Sequence, residues 1–359
     1  MTKLENLSKA PETIEQVGTL KINGFIAAFH EGLIIAFDVH GAYFIDNSIP
    51  HKPDILSFVE LRNDSSDGRY GKSFIGVHNK HALFRIGYDG IETIDIHDIR
   101  KPIHYSFISR DKTITGCFNV IINGLGINRF GIFDISAGKD FSPVMKFDEP
   151  IDNFVVTDDY VYCFLDRTVS IIALDNPTVM AEKISFKQKI SNLLRIDGDI
   201  YIAKAHNSNS VIVFKFCNRS PFIEVIGTIA YSSKIYNLFQ HGQGFIAVLS
   251  PLFRQRIEKI SLVNPDRPEP LFTLEAWPVY NICAGNNFFT CLSIKGKLAM
   301  DEMGTPAISV LKDNGEGLPD MIGEIDIKHR YYAYSCYHDL IYHPYEKDIR
   351  IYRIGLPQR

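Results

Sequence analysis

The feature that most constrains this chain is a unit of about forty residues that recurs along it, because a period of that length marks supersecondary units stacked in a row or set around an axis. Its plainest copy is Ile190 to Ile229, ISNLLRIDGDIYIAKAHNSNSVIVFKFCNRSPFIEVIGTI. A short apolar strand leads to the turn Asp197-Gly198-Asp199. A second strand ends at the polar turn His206-Asn207-Ser208-Asn209, and a third at a turn containing Pro221 that precedes the last strand. Residues 151–186 repeat this order with turns at Asp158-Asp159, Asp166-Arg167 and Asp175-Asn176-Pro177. Residues 73–109 repeat it with Tyr88-Asp89-Gly90 ahead of the third strand and Lys101-Pro102 ahead of the fourth. Every unit is rich in Ile, Val, Phe and Tyr, as half-buried strands require. None carries a sustained apolar stripe of period 3.6, which disfavours a helical solenoid.

The third turn is the clearest marker. Proline fixes φ and donates no amide proton, so it belongs just ahead of a strand at a sheet edge. It recurs at Pro53, Pro102, Pro143, Pro177, Pro221, Pro270 and Pro319, at intervals of about 35 to 50 residues. The two ends complete the pattern. Residues 330–354 supply three strands, and Ile14 to Ile22 supplies one extra strand before the first full unit begins at Gly24. A ring closed by the N-terminal strand accounts for both and leaves no long open edge. The expected fold is therefore all-β: a single closed β-propeller of about eight four-stranded blades. Seven is the alternative, because a polar insertion blurs the unit from Trp277 to Ile325. The blades are expected over 24–62, 68–110, 112–148, 151–187, 190–230, 233–274, 277–325 and 329–356, the last completed by 14–22. Residues 1–13 are expected as a tail and 14–356 as one domain.

The order of a Gly-Asp or Asp-Asp turn, a Tyr-Ile or Val-Tyr pair, a strand such as Gly-Ile-Glu-Thr-Ile-Asp-Ile or Ser-Val-Ile-Val-Phe-Lys-Phe, and a polar turn ending in Pro resembles the LVIVD-type repeats of bacterial β-propeller proteins. The likeness is best in residues 73–110 and 190–230 and fair in 151–187. Phe214-Lys215-Phe216 departs from it where the third strand usually ends in an acidic residue. The resemblance implies strands and turns, not a catalytic site.

Composition narrows the function classes. The 38 basic and 42 acidic residues are spread along the whole length, giving a formal net charge of -4. Phosphate binding needs a one-sided basic field, so nucleic acid is not an expected partner. The first twenty residues contain no apolar core of a secretory signal, and no window nears the eighteen apolar residues of a spanning helix, so membrane insertion is not expected. The six cysteines, Cys117, Cys163, Cys217, Cys283, Cys291 and Cys336, form no CxxC pair and sit mostly in apolar runs, which fits a reducing, cytoplasmic location.

Four successive units carry an Asn near the start of the first strand: Asn153, Asn192, Asn237 and Asn281. Tyr236 and Tyr280 directly precede the last two. First strands line a propeller's central channel, so these amides are expected to form an arc around one mouth, with Tyr236, Tyr280, Tyr331 and Tyr332 as flat walls with polar tips. The competing reading is that each Asn only caps backbone groups of its own strand. Trp277 stands just ahead of Tyr280, as an anchor at the mouth or a plug between blades.

Among twelve histidines the tightest groupings are His78 with His81, and His329, His338 and His343. Neither has a known ligand spacing, and alternation would put His78 and His81 on opposite faces of one strand, so no metal site and no cofactor is expected. Gly124 to Gly131 resembles a phosphate loop but lacks the following helix and is expected as a hairpin turn. Asp38, Asp95 and Asp134 are expected to accept turn amides. No catalytic residue is assigned. The leading expectation is a non-enzymatic scaffold that binds a protein or peptide on the channel-mouth face. The alternative is a metal-dependent hydrolase or lyase-like enzyme with its site at the central channel.

Overall fold

The computed structural model describes residues 2–355 except 31, 50–51, 64–71, 79, 88, 110–119, 123–124, 129–130, 135–141, 150, 158, 206–208, 251–254, 296–304, 316 and 328–333. For residues 30, 78, 108–109, 120–122, 128, 192, 250 and 295 it describes the backbone alone. The described residues form eight sheets, each with four antiparallel strands that follow sequence order in every blade but the last. The sheets are blades one (residues 25–60), two (72–109), three (120–146), four (153–185), five (190–230), six (234–276), seven (279–326) and eight (335–355 with 13–20). Inner strands pack against inner strands around the ring: 190–197 lies beside both 153–156 and 234–241, and 279–284 lies beside both 234–241 and 335–337. Phe29 of blade one stacks on Tyr337 of blade eight at 4.4 Å, bringing the first and last blades together.

Seven of the blades are complete hairpin runs, and the eighth is closed as the sequence predicts. Thr13–Leu20 pairs antiparallel with Asp348–Gly355 and becomes the outer strand of a sheet whose other three strands come from the opposite end of the chain. The preceding residues run along the ring's outside. Thr2–Lys3 adds a parallel fifth strand to the outer edge of blade six, and Ser8 to Ala10 exchanges backbone bonds with Met321 on the outer strand of blade seven. Leu4 inserts into the core between those two blades, with Leu274 and Phe289.

Each marker proline lies within the two residues before an outer strand, within three for Pro177, or inside the strand's first two residues, as at Pro143 and Pro270. The turns leading there share one form in four blades. An amide bonds back to the carbonyl three residues earlier: Lys52 to Ile49, Lys101 to Asp98, Val179 to Asn176 and Arg267 to Asn264. Three of these turns open with Asp or Asn, the preference expected of this geometry, and the fourth opens with Ile49. All eight outer strands also carry one extra residue out of register: Val17, Leu56, Tyr105, Val144, Ala181, Ile226, Leu271 and Ile322. Such a bulge raises the local twist. Its recurrence at one place in every blade gives the sheets a common twist, as packing face to face around a ring requires.

The core is a belt of clusters between neighbouring blades, because each sheet buries both faces. Blade five packs on blade six through Val213, Phe245 and Leu249, and blade one on blade two through Phe44, Phe84 and Ile94. Leu125–Asn128, within the glycine-rich stretch expected as a turn, is itself the second strand of blade three.

Candidate functional site

The four asparagines fall on four consecutive inner strands, near the start of each: first in Asn153–Val156, third in Ile190–Asp197, fourth in Lys234–His241 and third in Val279–Ala284. They therefore share one end of the ring, where the connections between blades also lie. Tyr331 and Tyr332 fall outside the described residues, as does the side chain of Asn192.

A bulge explains the placing of the two tyrosines. In blade six Ile235 pairs with Leu249 and Asn237 with Val248, so Tyr236 is the extra residue. In blade seven Val279 pairs with Ser293 and Asn281 with Leu292, so Tyr280 is the extra residue. Strict alternation would send Ile235 and Leu238 to opposite faces. The bulge puts both in the one core between blades five and six, as it puts Val279 and Ile282 in the one between six and seven, and turns the tyrosines outward. Tyr236 is 53% exposed and Tyr280 44% exposed, on neighbouring inner strands. Trp277 is half-buried in the connection just ahead of Tyr280.

The repeated tetrad is the signal that sequence reading missed: Ile151-Asp-Asn-Phe154, Ile190-Ser-Asn-Leu193, Ile235-Tyr-Asn-Leu238 and Val279-Tyr-Asn-Ile282. Its first residue is buried in all four blades. Its second residue differs around the ring. Asp152 accepts the Asp166 amide at 3.0 Å and pairs with Lys189 at 2.7 Å, while the Ser191 hydroxyl donates to the Lys204 carbonyl at 3.2 Å. The mouth is thus polar across blades four and five and aromatic across six and seven. The Asn237 oxygen accepts the amide of Leu238 at 2.9 Å, so it serves the bulge of its own strand.

On the same end of blade one, Asp38 accepts the amides of His40 and Gly41 and the Tyr43 hydroxyl, the turn role expected of it. Burial, and then that bond to Asp38, pushes the Tyr43 hydroxyl up to about 12. Lys72 opens the inner strand of blade two and donates to the carbonyls of Val39 and Leu61, fastening blade two to blade one.

Two groupings of reactive side chains lie elsewhere. At the opposite end of blade two, the ligand atoms of His81, Asp95 and His97 all lie within 4.8 Å of one another. Asp95 accepts the His97 amide at 2.9 Å, the turn bond expected of it, and its other close contact is with His97 Nδ1 at 2.6 Å. His81 thus partners residues of the third strand and its turn; the side chain of His78 is not described. Between blades seven and eight, the Cys336 amide donates to Cys283 Sγ at 3.0 Å. A hydrogen bond from the Cys336 side chain, with its amide assisting, holds the Cys283 thiol below its usual range, while burial pushes the Cys336 thiol up. These two cysteines are fifty-three positions apart, and only ring geometry joins them.

Fold and mouth together define this protein as an eight-bladed β-propeller with an amide-and-aromatic rim at one end. No family model matches the chain, and no curated protein matches it in sequence. Among solved structures it is similar to BamB from Moraxella catarrhalis, with a TM-score of 0.60 and 11% identity over 95% of this chain and 100% of that one. It is similar to the computationally designed Ika8 protein, with a TM-score of 0.59 and 11% identity over 94% and 99% of the two chains. The WD40 domain of Toxoplasma gondii coronin gives a TM-score of 0.51 and 7% identity over 100% of this chain and 89% of that one. At such identities the likeness is one of fold. No helix among the described residues is long and apolar enough to cross a membrane.

Proposed function

We propose that this propeller is a non-enzymatic scaffold that binds another protein or a peptide on the end carrying the starts of its inner strands. The observation behind this reading is the pair Tyr236 and Tyr280, held outward by matching bulges on adjacent inner strands. Aromatic rings with a polar tip give large contact area at low entropic cost and are enriched where binding energy concentrates. A rim that changes from polar to aromatic suits a ligand with both kinds of group, as an extended peptide has. The recurring turn with Asp98, Asn176 or Asn264 at its head supports, on the same footing, an LVIVD-type repeat.

The test is selection of peptides from a random display library against the whole chain, followed by fluorescence anisotropy of the selected peptides. A variant carrying Tyr236→Ser and Tyr280→Ser removes the two half-exposed rings, and circular dichroism with the melting temperature checks that it folds. Its affinity is expected to fall at least about tenfold, the scale of a lost aromatic anchor. Peptides that bind the variant as tightly as the parent would remove the mouth from consideration.

A further inference from the structure

Blade two departs from its sisters at one place, and the repeat supplies the comparison. The first residue of the second strand sits opposite the end of the third strand in every blade. In the seven other blades it is leucine three times, and otherwise isoleucine, phenylalanine, tyrosine or glycine. In blade two it is His81, opposite Asp95. The nearest relative is blade one, where Leu33 lies opposite Asp46 and Asp46 accepts the amide of Ser48 at 2.8 Å. Asp95 accepts the amide of His97 in the same way. The aspartate is therefore explained by the turn in both blades, but the two histidines are not, since the same fold is made in blade one with Leu and Ser.

We propose that His81, Asp95 and His97 form a binding site for a divalent transition-metal ion of the zinc class, at the end of the ring opposite the aromatic mouth. Two imidazoles and a carboxylate are the donor set of open zinc sites, with water completing the shell. Zinc at about 2.0–2.2 Å from each ligand sets neighbouring ligand atoms roughly 3.3 Å apart. The three ligand atoms lie within 4.8 Å of one another, and the largely exposed His97 side chain has room to turn toward an ion. The ring of Tyr105, the extra residue of the bulged outer strand, packs on His81 with the ring centroids 4.4 Å apart. Cross-strand pairing fixes His81 against Asp95, so two ligands are set by the sheet and one by a turn.

The experiment uses the full chain, free of any affinity tag and stripped with a chelator, titrated with Co²⁺ and then with Zn²⁺ against a chromophoric competitor. One ion per chain is expected, with a visible Co²⁺ absorption that Zn²⁺ abolishes. His81→Leu and His97→Ser rewrite each position as in blade one, so they keep the fold, and each is expected to weaken Zn²⁺ binding at least tenfold. Asp95→Asn keeps the oxygen that accepts the turn amide and removes the charge, and is expected to weaken binding similarly. Circular dichroism and the melting temperature without metal check folding. Absence of a stoichiometric ion in the parent overturns the proposal. So does unchanged affinity in the His81→Leu, His97→Ser double variant, and an Asp95→Asn variant that binds like the parent overturns the three-ligand assignment.

Discussion

His343 is 1% exposed on the second strand of blade eight, and neither ring nitrogen has a hydrogen-bond partner among the described residues. Burial, with the Arg350 guanidinium beside it, pushes this imidazole down to about 4 from 6.5. In the unfolded chain the ring takes up its proton as pH falls through about 6.5, and in the folded chain only near 4. Stability is therefore present above that window and lost as pH falls through it, by about 3 kcal/mol for a shift of this size. A His343→Phe variant is expected to lose less stability between pH 7 and pH 4 by about that amount, measured by urea unfolding across the range. Parallel curves for the two proteins would refute this account. Sequence marked His343 only as one of a group near His338, because nothing local tells a buried histidine from a surface one. The same limit applied to Cys283 and Cys336, whose meeting depends on two blades being neighbours in a ring. The mouth residues were legible in part. Their strand and level followed from the repeat, whereas the outward turn of Tyr236 and Tyr280 came from a bulge that the tetrads encode by breaking alternation.

At the level of strands and blades, each interface is held by apolar belts with occasional charged fasteners. Lys259, on the third strand of blade six, is buried, and its ammonium donates to both carboxylate oxygens of Asp313 of blade seven, at 2.6 and 2.7 Å. Removing one partner of such a pair leaves a charge without compensation, at a cost of about 3 kcal/mol, whereas replacing both is far milder. Asp313→Ala is thus expected to lower unfolding free energy by about that amount. The Lys259→Met, Asp313→Asn double variant is expected to recover most of it in the same urea titration. The polar insertion that blurred blade seven in the sequence contains Asp313. Its run of Asp, Asn and Gly reads as a solvated loop, and only the structure places its first residue against a buried lysine. Outer strands were the most legible elements, because proline and an Asp- or Asn-headed turn constrain the backbone directly and need no distant contact.

For the whole molecule, closure rests on Thr13–Leu20, and the strap ahead of it ties blades six and seven from outside. Removing residues 1–10 exposes the pocket of Leu4, which is 3% exposed, and leaves the clasp intact. That truncation is expected to lower the melting temperature by several degrees, as about 2–4 kcal/mol of lost packing would, with a single cooperative transition. Removing residues 1–20 leaves Asp348–Gly355 as an open edge, and an open strand invites pairing with another chain. Size-exclusion chromatography is expected to show oligomers for the longer truncation and a profile like the parent's for the shorter one.

Thr13 touches Gly355 across 342 positions of sequence. The strand that completes the eighth blade is synthesised ahead of all the other blades and finds its partner only after they have been made. Seven blades can form in turn as they emerge, each from contacts within one repeat or with the next. The ring itself cannot shut until the last hairpin arrives, so its final step carries the largest loop-closure cost in the molecule. During synthesis this strand must wait unpaired, and the time taken to translate the seven intervening blades would set how long that exposure lasts.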